Sequence, residues 1–203
     1  MSLASLLLAK DDLNEYLKPT EIIDFGTQEI IDCANSLVQG LNGEVLIAKR
    51  VYEFVRDEIH HSFDIKGKVV TCKASDVLRE GEGICYAKSH LLAALLRSLG
   101  IPAGFSYQKL VFSDENPKLV LHGLNAIYLK EIGRWIRVDA RGNKEGVNAQ
   151  FSLEKEILAF PVRSELGEAD IRMVYAEPNA NVVSALERSK TLEELEKNLP
   201  TEL

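Results

Sequence analysis

The sequence predicts an α+β fold in which a central helix packs against an antiparallel sheet. An Ala- and Leu-rich stretch that begins at Cys85 and ends before Gly100 indicates the helix. Its leucines cover so much of the circumference that this helix should be buried on more than one side. The sheet is indicated by apolar strands at 119–129 and 134–139, which a short turn at 130–133 would join into a hairpin.

Cys85 follows a turn with two glycines, Gly81 and Gly83, and should therefore lie at the N-terminus of the helix. The unpaired N–H groups and the macrodipole at such an end favour a thiolate, and the same N–H groups can hold an oxyanion. A buried cysteine is more often a small hydrophobic residue. The assignment of Cys85 as a nucleophile therefore depends on partners elsewhere in the chain.

The hairpin supplies such partners. Its turn is expected to be centred between Glu131 and Ile132. His122 then faces Arg141, and Asp139 lies two residues back on the same face. Diagonal neighbours of this kind are roughly 7–8 Å apart at the backbone, which is within reach of a histidine and an aspartate that lean toward each other. The hairpin is therefore expected to present an imidazole with a carboxylate beside it.

His90 is a rival to His122 as the base, and His60 and His61 have other possible roles. Five residues along a helix turn a side chain through roughly 140°, so His90 should point away from Cys85 and be a hydrogen-bonded or surface histidine. His60 and His61 close a predicted helix, where they either stabilise its C-terminal end or line the rim of an active cleft.

Neither a metal nor a cofactor is predicted. The cysteines and histidines lack the paired spacings of zinc sites, and no Gly-rich phosphate-binding motif occurs.

Arg141 could pair with the Asp139 carboxylate or with an acidic group of a substrate, and a plain surface role is equally compatible with the sequence.

Taken together, these motifs resemble the transglutaminase-like superfamily of papain-like cysteine enzymes. The resemblance rests on the Gly-x-Cys start at Cys85, the Arg97–Ala103 run that closes the helix, the His122 strand and the strand at 135–139. It covers residues 43–142 and implies a papain-like transglutaminase core.

The family also implies a catalytic triad. By match, Cys85 would be the nucleophile, His122 the base and Asp139 the acid that orients the imidazole. Many members carry an aromatic residue two positions after the histidine, where this chain has Leu124.

Three hypotheses about function follow. The favoured one is a cysteine hydrolase that cleaves peptide or isopeptide amides through an acyl-enzyme on Cys85. The second is an acyltransferase that transfers the same acyl group to an amine, as in transglutaminase-type crosslinking. The third is a catalytically silent binding module, against which an intact triad counts. The second oxyanion donor is left open, with Tyr86 and Gln108 as options outside the catalytic set.

Composition narrows the class of partner. The net charge of −7, with 11 acidic and 6 basic residues in 151–203, disfavours nucleic acids and anionic membranes. The peptide or protein substrate that is expected follows from the thiol chemistry and the family resemblance. Three widely spaced cysteines imply no disulfide framework, and the apolar run at 3–9 is too short to span a bilayer. A reducing cytoplasm suits this chain. The oligomeric state is left open.

The sequence predicts three regions: an N-terminal arm and helix at 1–42 packed on the core, a transglutaminase-like catalytic core at 43–148, and an acidic C-terminal extension at 149–203. Further elements are predicted from capping residues and periodicity. They are helices capped by Thr27, Asn42, Ser152 and Thr191, strands at 104–112 and 171–175, and a polar turn at 113–117.

Overall fold

The computed structural model describes residues 5–113 and 117–203, so three residues of the predicted polar turn, 114–116, lie outside the described part. The strands are β1 (Leu7–Leu8), β2 (His60–His61), β3 (Glu82–Gly83), β4 (Ala103–Val111), β5 (Leu119–Leu129), β6 (Arg134–Val138) and β7 (Ala169–Tyr175). The α-helices are α1 (Gln28–Leu37), α2 (Glu44–Glu58), α3 (Ser62–Ile65), α4 (Ala74–Glu80), α5 (Cys85–Ser98), α6 (Ala180–Arg188) and α7 (Leu192–Lys197). Short 3₁₀ turns occur at Leu13–Leu17 and Ser164–Leu166.

The main sheet has five strands in the order β1, β7, β4, β5, β6. Its first pair is parallel and the others are antiparallel. The β5–β6 hairpin has the predicted register, with Leu129 opposite Arg134 and Asn125 opposite Val138. The predicted α+β class, with a helix on an antiparallel sheet, is confirmed.

Helix α5 is the centre of the fold. All its residues from Cys85 to Arg97 are buried. It contacts α1, α2 and α4 as well as strands β4 and β5, so it is covered on more than one side, as its leucines predict. Gly100 follows its end with a φ of 75°, the left-handed conformation that glycine adopts without a steric penalty.

The glycines before α5 have separate roles. Gly81 has a φ of 68° and ends α4, where its N–H donates to the carbonyl of Val77. Gly83 has no room for a side chain, because a Cβ there would lie 2.9 Å from the Cβ of Ala87. The turn therefore packs closely against the first turn of α5 and fixes where Cys85 begins the helix.

Several predicted boundaries are wrong. Helix α2 begins after Gly43, whose φ of 93° only glycine adopts readily, and not after Asn42. The helix predicted to start at Ser152 is not formed, since the described residues 153–158 are not helical. The Ser152 hydroxyl does accept the N–H groups of two following residues, but Gln150 then pairs with Ile157, and this pairing holds the segment in a non-helical turn.

The C-terminal region contains one predicted and one unpredicted helix. Helix α7 starts as predicted, with the Thr191 hydroxyl accepting the N–H of Glu194. Helix α6 was not predicted, although Asn179 caps it by accepting two backbone N–H groups. Within the described residues, no helix combines the length and the apolar character needed to cross a membrane.

Candidate active site

Cys85 is the first residue of α5, and its N-terminal position follows from the glycine turn before it. The capping residue Ile84 has no side chain that could accept the N–H groups of the first helical turn. Cys85 is 8% exposed, and that surface faces a cleft. The thiol therefore lies where helix N–H groups and the macrodipole favour negative charge.

His122 and Asp139 come together as the hairpin register predicts. The imidazole Nε2 lies 2.8 Å from the carboxylate Oδ2 of Asp139. The charge and hydrogen bonding of Cys85 help to raise the pKa of the same imidazole, and both side chains line one cleft, so the thiol lies beside the ring. The structure thus brings all three predicted side chains into one chain of contacts.

Electrostatics in this chain of contacts favour a charged imidazole. Burial alone lowers the pKa of His122, but the charges of Asp139 and of a Cys85 thiolate, with hydrogen bonds to both, outweigh burial and raise that pKa to about 10. Burial likewise acts to raise the pKa of Asp139. The facing imidazolium and the hydrogen bonds that the carboxylate accepts lower it below its usual value.

Asp139 is fully buried and is held by three backbone or phenol groups. Its Oδ1 accepts the N–H of Arg141 at 3.1 Å, and its Oδ2 accepts the N–H of Ala159 at 3.0 Å. The Tyr52 hydroxyl donates to its backbone carbonyl at 3.1 Å. The two backbone donors and the His122 ring fix the buried carboxylate in position and favour its charged form, while Tyr52 holds the backbone of the same residue.

The cleft beside Cys85 and His122 has a volume of about 700 Å³. Most of its wall is apolar. The apolar lining residues include Phe63, Ile84, Leu110, Val111, Phe112, Val120, Leu121, Phe160, Pro161 and Leu199. The Phe160 ring packs edge-on against His122, with ring centroids 5.3 Å apart. Leu124, at the position where many family members have an aromatic residue, is instead fully buried.

Charged groups also line the cleft. The Arg141 guanidinium pairs with Asp64 and not with Asp139, and the Lys144 ammonium reaches the same Asp64 carboxylate at 2.7 Å. Arg141 is only 7% exposed, so a plain surface role is wrong. Sequence reasoning missed Asp64 and Lys144, because no local pattern connects them to residues near 141.

The other three histidines lie in different environments. His61 is buried and lines the cleft, so the rim interpretation is correct for it, whereas His60 is exposed. The two form strand β2 and do not simply close α2. His90 is buried on the far side of α5, where its Nδ1 contacts the carbonyl of Cys72 at 2.8 Å, as expected for a hydrogen-bonded core histidine.

Tyr86 and Gln108 flank the site without a shown role in oxyanion binding. The Tyr86 hydroxyl is already engaged as a donor to the carbonyl of Leu121. Gln108 lies opposite His122 on the neighbouring strand and is buried. Gly123 allows the Tyr86 ring to pack directly on β5, since a Cβ there would lie 2.8 Å from the ring.

The arrangement of a helix that begins at a cysteine, packed on an antiparallel sheet that carries a histidine and leads into an aspartate, is a papain-like α+β architecture. The model of the transglutaminase-like superfamily matches residues 31–140 of the chain. The chain therefore belongs to the transglutaminase-like superfamily.

The solved structures that match this chain are distant from it in sequence. A candidate cysteine protease from Cytophaga hutchinsonii superimposes with a TM-score of 0.54 at 20% identity, over 65% of this chain and 43% of that one. A candidate protease from Parabacteroides distasonis gives a TM-score of 0.41 at 14% identity, over 74% of this chain and 30% of that one. The chain thus spans less than half the length of either structure. No curated protein matches the sequence.

Proposed function

We propose that this protein is a cysteine hydrolase that cleaves peptide or isopeptide amide bonds through an acyl-enzyme on Cys85. The observation that carries the proposal is the chain of contacts from the Cys85 thiol through His122 to the buried Asp139 carboxylate. Packing alone requires no such chain, so the contacts favour an enzyme over a silent binding module.

In the first step, the Cys85 thiolate attacks the amide carbonyl and a carbon–sulfur bond forms. The negative charge moves to the carbonyl oxygen, which the N–H groups at the start of α5 can stabilise. When the carbon–nitrogen bond breaks, the His122 imidazolium gives its proton to the departing amine. A thioester remains on Cys85.

In the second step, neutral His122 takes a proton from water, and the resulting hydroxide attacks the thioester. The carbon–sulfur bond breaks, the acid leaves, and the thiolate–imidazolium pair is restored. Asp139 keeps the imidazole oriented throughout, and its charge stabilises the imidazolium form. If an amine enters in place of water, the product is a new amide, which is the transglutaminase-type alternative.

The experiment uses a mixture of N-acetylated peptides in ¹⁸O-labelled water, with a biotinylated primary amine present. Hydrolysis predicts new peptide carboxylates that carry ¹⁸O, whereas transfer predicts biotin attached to the acyl fragment. Cys85→Ala and His122→Asn should abolish both products, and Cys72→Ala should retain them. Product formation that persists in Cys85→Ala would overturn the proposal.

A further inference from the structure

The cleft differs in charge from the rest of the chain. The protein carries a net charge of −7, yet the charged residues in the cleft wall, apart from the proposed Cys85 thiolate and His122 imidazolium whose charges cancel, are three cations and two anions. They are Arg141, Lys144, Arg163, Asp64 and Glu168. An acidic protein with a net positive cleft would attract an anionic substrate to this one surface.

The cation excess is greatest beside the proposed triad. Asp64 accepts hydrogen bonds from both terminal nitrogens of Arg141, one of them at 2.9 Å, and from Lys144 at 2.7 Å. One carboxylate therefore faces two cations. Burial acts to raise the pKa of Asp64, but its bonds to Arg141 and Lys144 outweigh burial and lower it to about 2, so the carboxylate stays charged at neutral pH.

The exposed fraction of each charged side chain determines which charges a ligand in the cleft can contact. The Lys144 side chain is 47% exposed, whereas the Asp64 side chain beneath it is 24% exposed and has both oxygens engaged. At another part of the wall the Glu168 carboxylate is almost fully buried, and it binds Arg163 and the N–H of Val111. Both carboxylates are thus paired and less exposed than Lys144 and Arg163, so the more accessible charge in the cleft is cationic.

The cation pair is also connected to the reacting groups. The backbone N–H of Arg141 donates to Asp139, and the Arg141 guanidinium lies over the ring of Phe160, 5.7 Å from its centroid. The same Phe160 packs against His122. A substrate carboxylate at Lys144 would therefore lie in the same cleft as the bond presented to Cys85, and Phe160 lines that cleft as well.

We propose that the cleft selects acidic peptides as acyl donors, with a substrate carboxylate bound by Lys144 and with Arg141 holding Asp64 in place beneath it. The role of the peptide as an acyl donor rests on the proposed function. Binding of an acidic peptide in the cleft is measurable without any turnover. The aromatic side chains of Phe63, Phe112 and Phe160 would accept apolar side chains of the same peptide.

The test measures binding in the Cys85→Ala protein, which cannot form an acyl-enzyme. Two fluorescent mixture libraries of N-acetylated octapeptides are compared, with Glu at the fixed positions in one and Gln in the other. We expect the Glu library to bind about fivefold more tightly, the size of about 1 kcal/mol for a partly exposed charge pair. The preference should decrease with added salt.

Lys144→Met should reduce the preference for Glu to near zero. Lys49→Met is the matched control, because Lys49 is 49% exposed and has its own carboxylate partner, Glu53. It should leave the preference intact. Lys144→Glu should reverse it, so that a library with Lys at the fixed positions binds better than the Gln library.

Equal affinity for the Glu and Gln libraries, no binding of either, or an equal loss in Lys144→Met and Lys49→Met would overturn the inference. None of these results bears on turnover by the wild-type protein. A preference for Glu that depends on Lys144 would support the inference even if the wild-type protein released no product, so the two proposals can fail separately.

Discussion

His122 and Asp139 lie 2.8 Å apart between Nε2 and Oδ2, although no strand pairing joins them. The last pair of the β5–β6 ladder is Asn125 with Val138, and Asp139 is the first residue after β6. The N–H groups of Arg141 and Ala159 hold its carboxylate in position. The contact therefore depends on the segments after β6 as well as on the hairpin.

Asp139→Asn should lower kcat/KM by about 10²–10⁴, by analogy with the loss of the orienting acid in other triads. The pKa of His122 is about 10 because Asp139 and Cys85 together outweigh the effect of burial, so the variant, which lacks the Asp139 charge, should lose activity at a lower pH than the wild type. The measurement is kcat/KM from pH 5 to 11. If kcat/KM falls at the same alkaline pH in the variant and in the wild type, Asp139 does not raise the pKa of His122.

His122→Gln should be least stable, relative to the wild type, at acidic to neutral pH. The folded pKa of His122 is raised above the unfolded value of about 6.5, so its contribution is fully present below pH 6.5 and is lost as the pH rises through about 10. Urea unfolding at pH 6 and pH 10 measures this difference. The control is His60→Gln, at an exposed position. If the difference in unfolding free energy between the wild type and His122→Gln grows as the pH rises, the expectation is contradicted.

Iodoacetamide should modify Cys85 at least about tenfold faster than the other two cysteines at pH 6.5, because the thiolate is the reactive form. Burial raises the pKa of Cys72 to about 12 and also raises the pKa of Cys33. Cys85, by contrast, faces the cleft beside the imidazolium. Peptide mapping by mass spectrometry gives the three rates, and similar values at all three sites would remove the nucleophile assignment.

Gly123→Ala should destabilise the fold by about 1–3 kcal/mol, the usual cost of overpacking. The new Cβ would lie 2.8 Å from the Tyr86 ring, next to Cys85, so activity should also fall. Gly26→Ala is the control, because nothing lies within 4 Å of a Cβ at that position. Urea unfolding compares the two variants, and equal stability would show that the Tyr86 ring can move away without cost.

The sequence predicts those parts of the site that depend on local patterns. The start of α5 follows from the glycine turn before Cys85, and the register of the hairpin follows from the length of its turn. Alternation along a strand then places Asp139 near His122. These rules act over a few residues, and they need no knowledge of how distant segments pack.

The parts that the sequence does not predict come from distant segments. Phe160 reaches the site from a loop and Asp64 from the one-turn helix α3, and neither segment carries a local signal for a cleft. At Ser152 a capping signal is present, but the Gln150–Ile157 pairing prevents a helix. Tertiary contacts determine the structure at these positions, and the propensities of a single sequence carry no information about such contacts.

The most direct test of the account is to identify the atom that carries the acyl group. The wild-type protein would be acid-quenched during turnover of N-acetylated peptide p-nitrophenyl esters and digested with trypsin, which should release residues 80–88 as one peptide. We predict that this peptide, which contains Cys85, gains the mass of one acyl group, and that Cys85→Ala shows no adduct. Turnover with no adduct, or with an adduct only on the peptides of Cys33 or Cys72, would contradict the account.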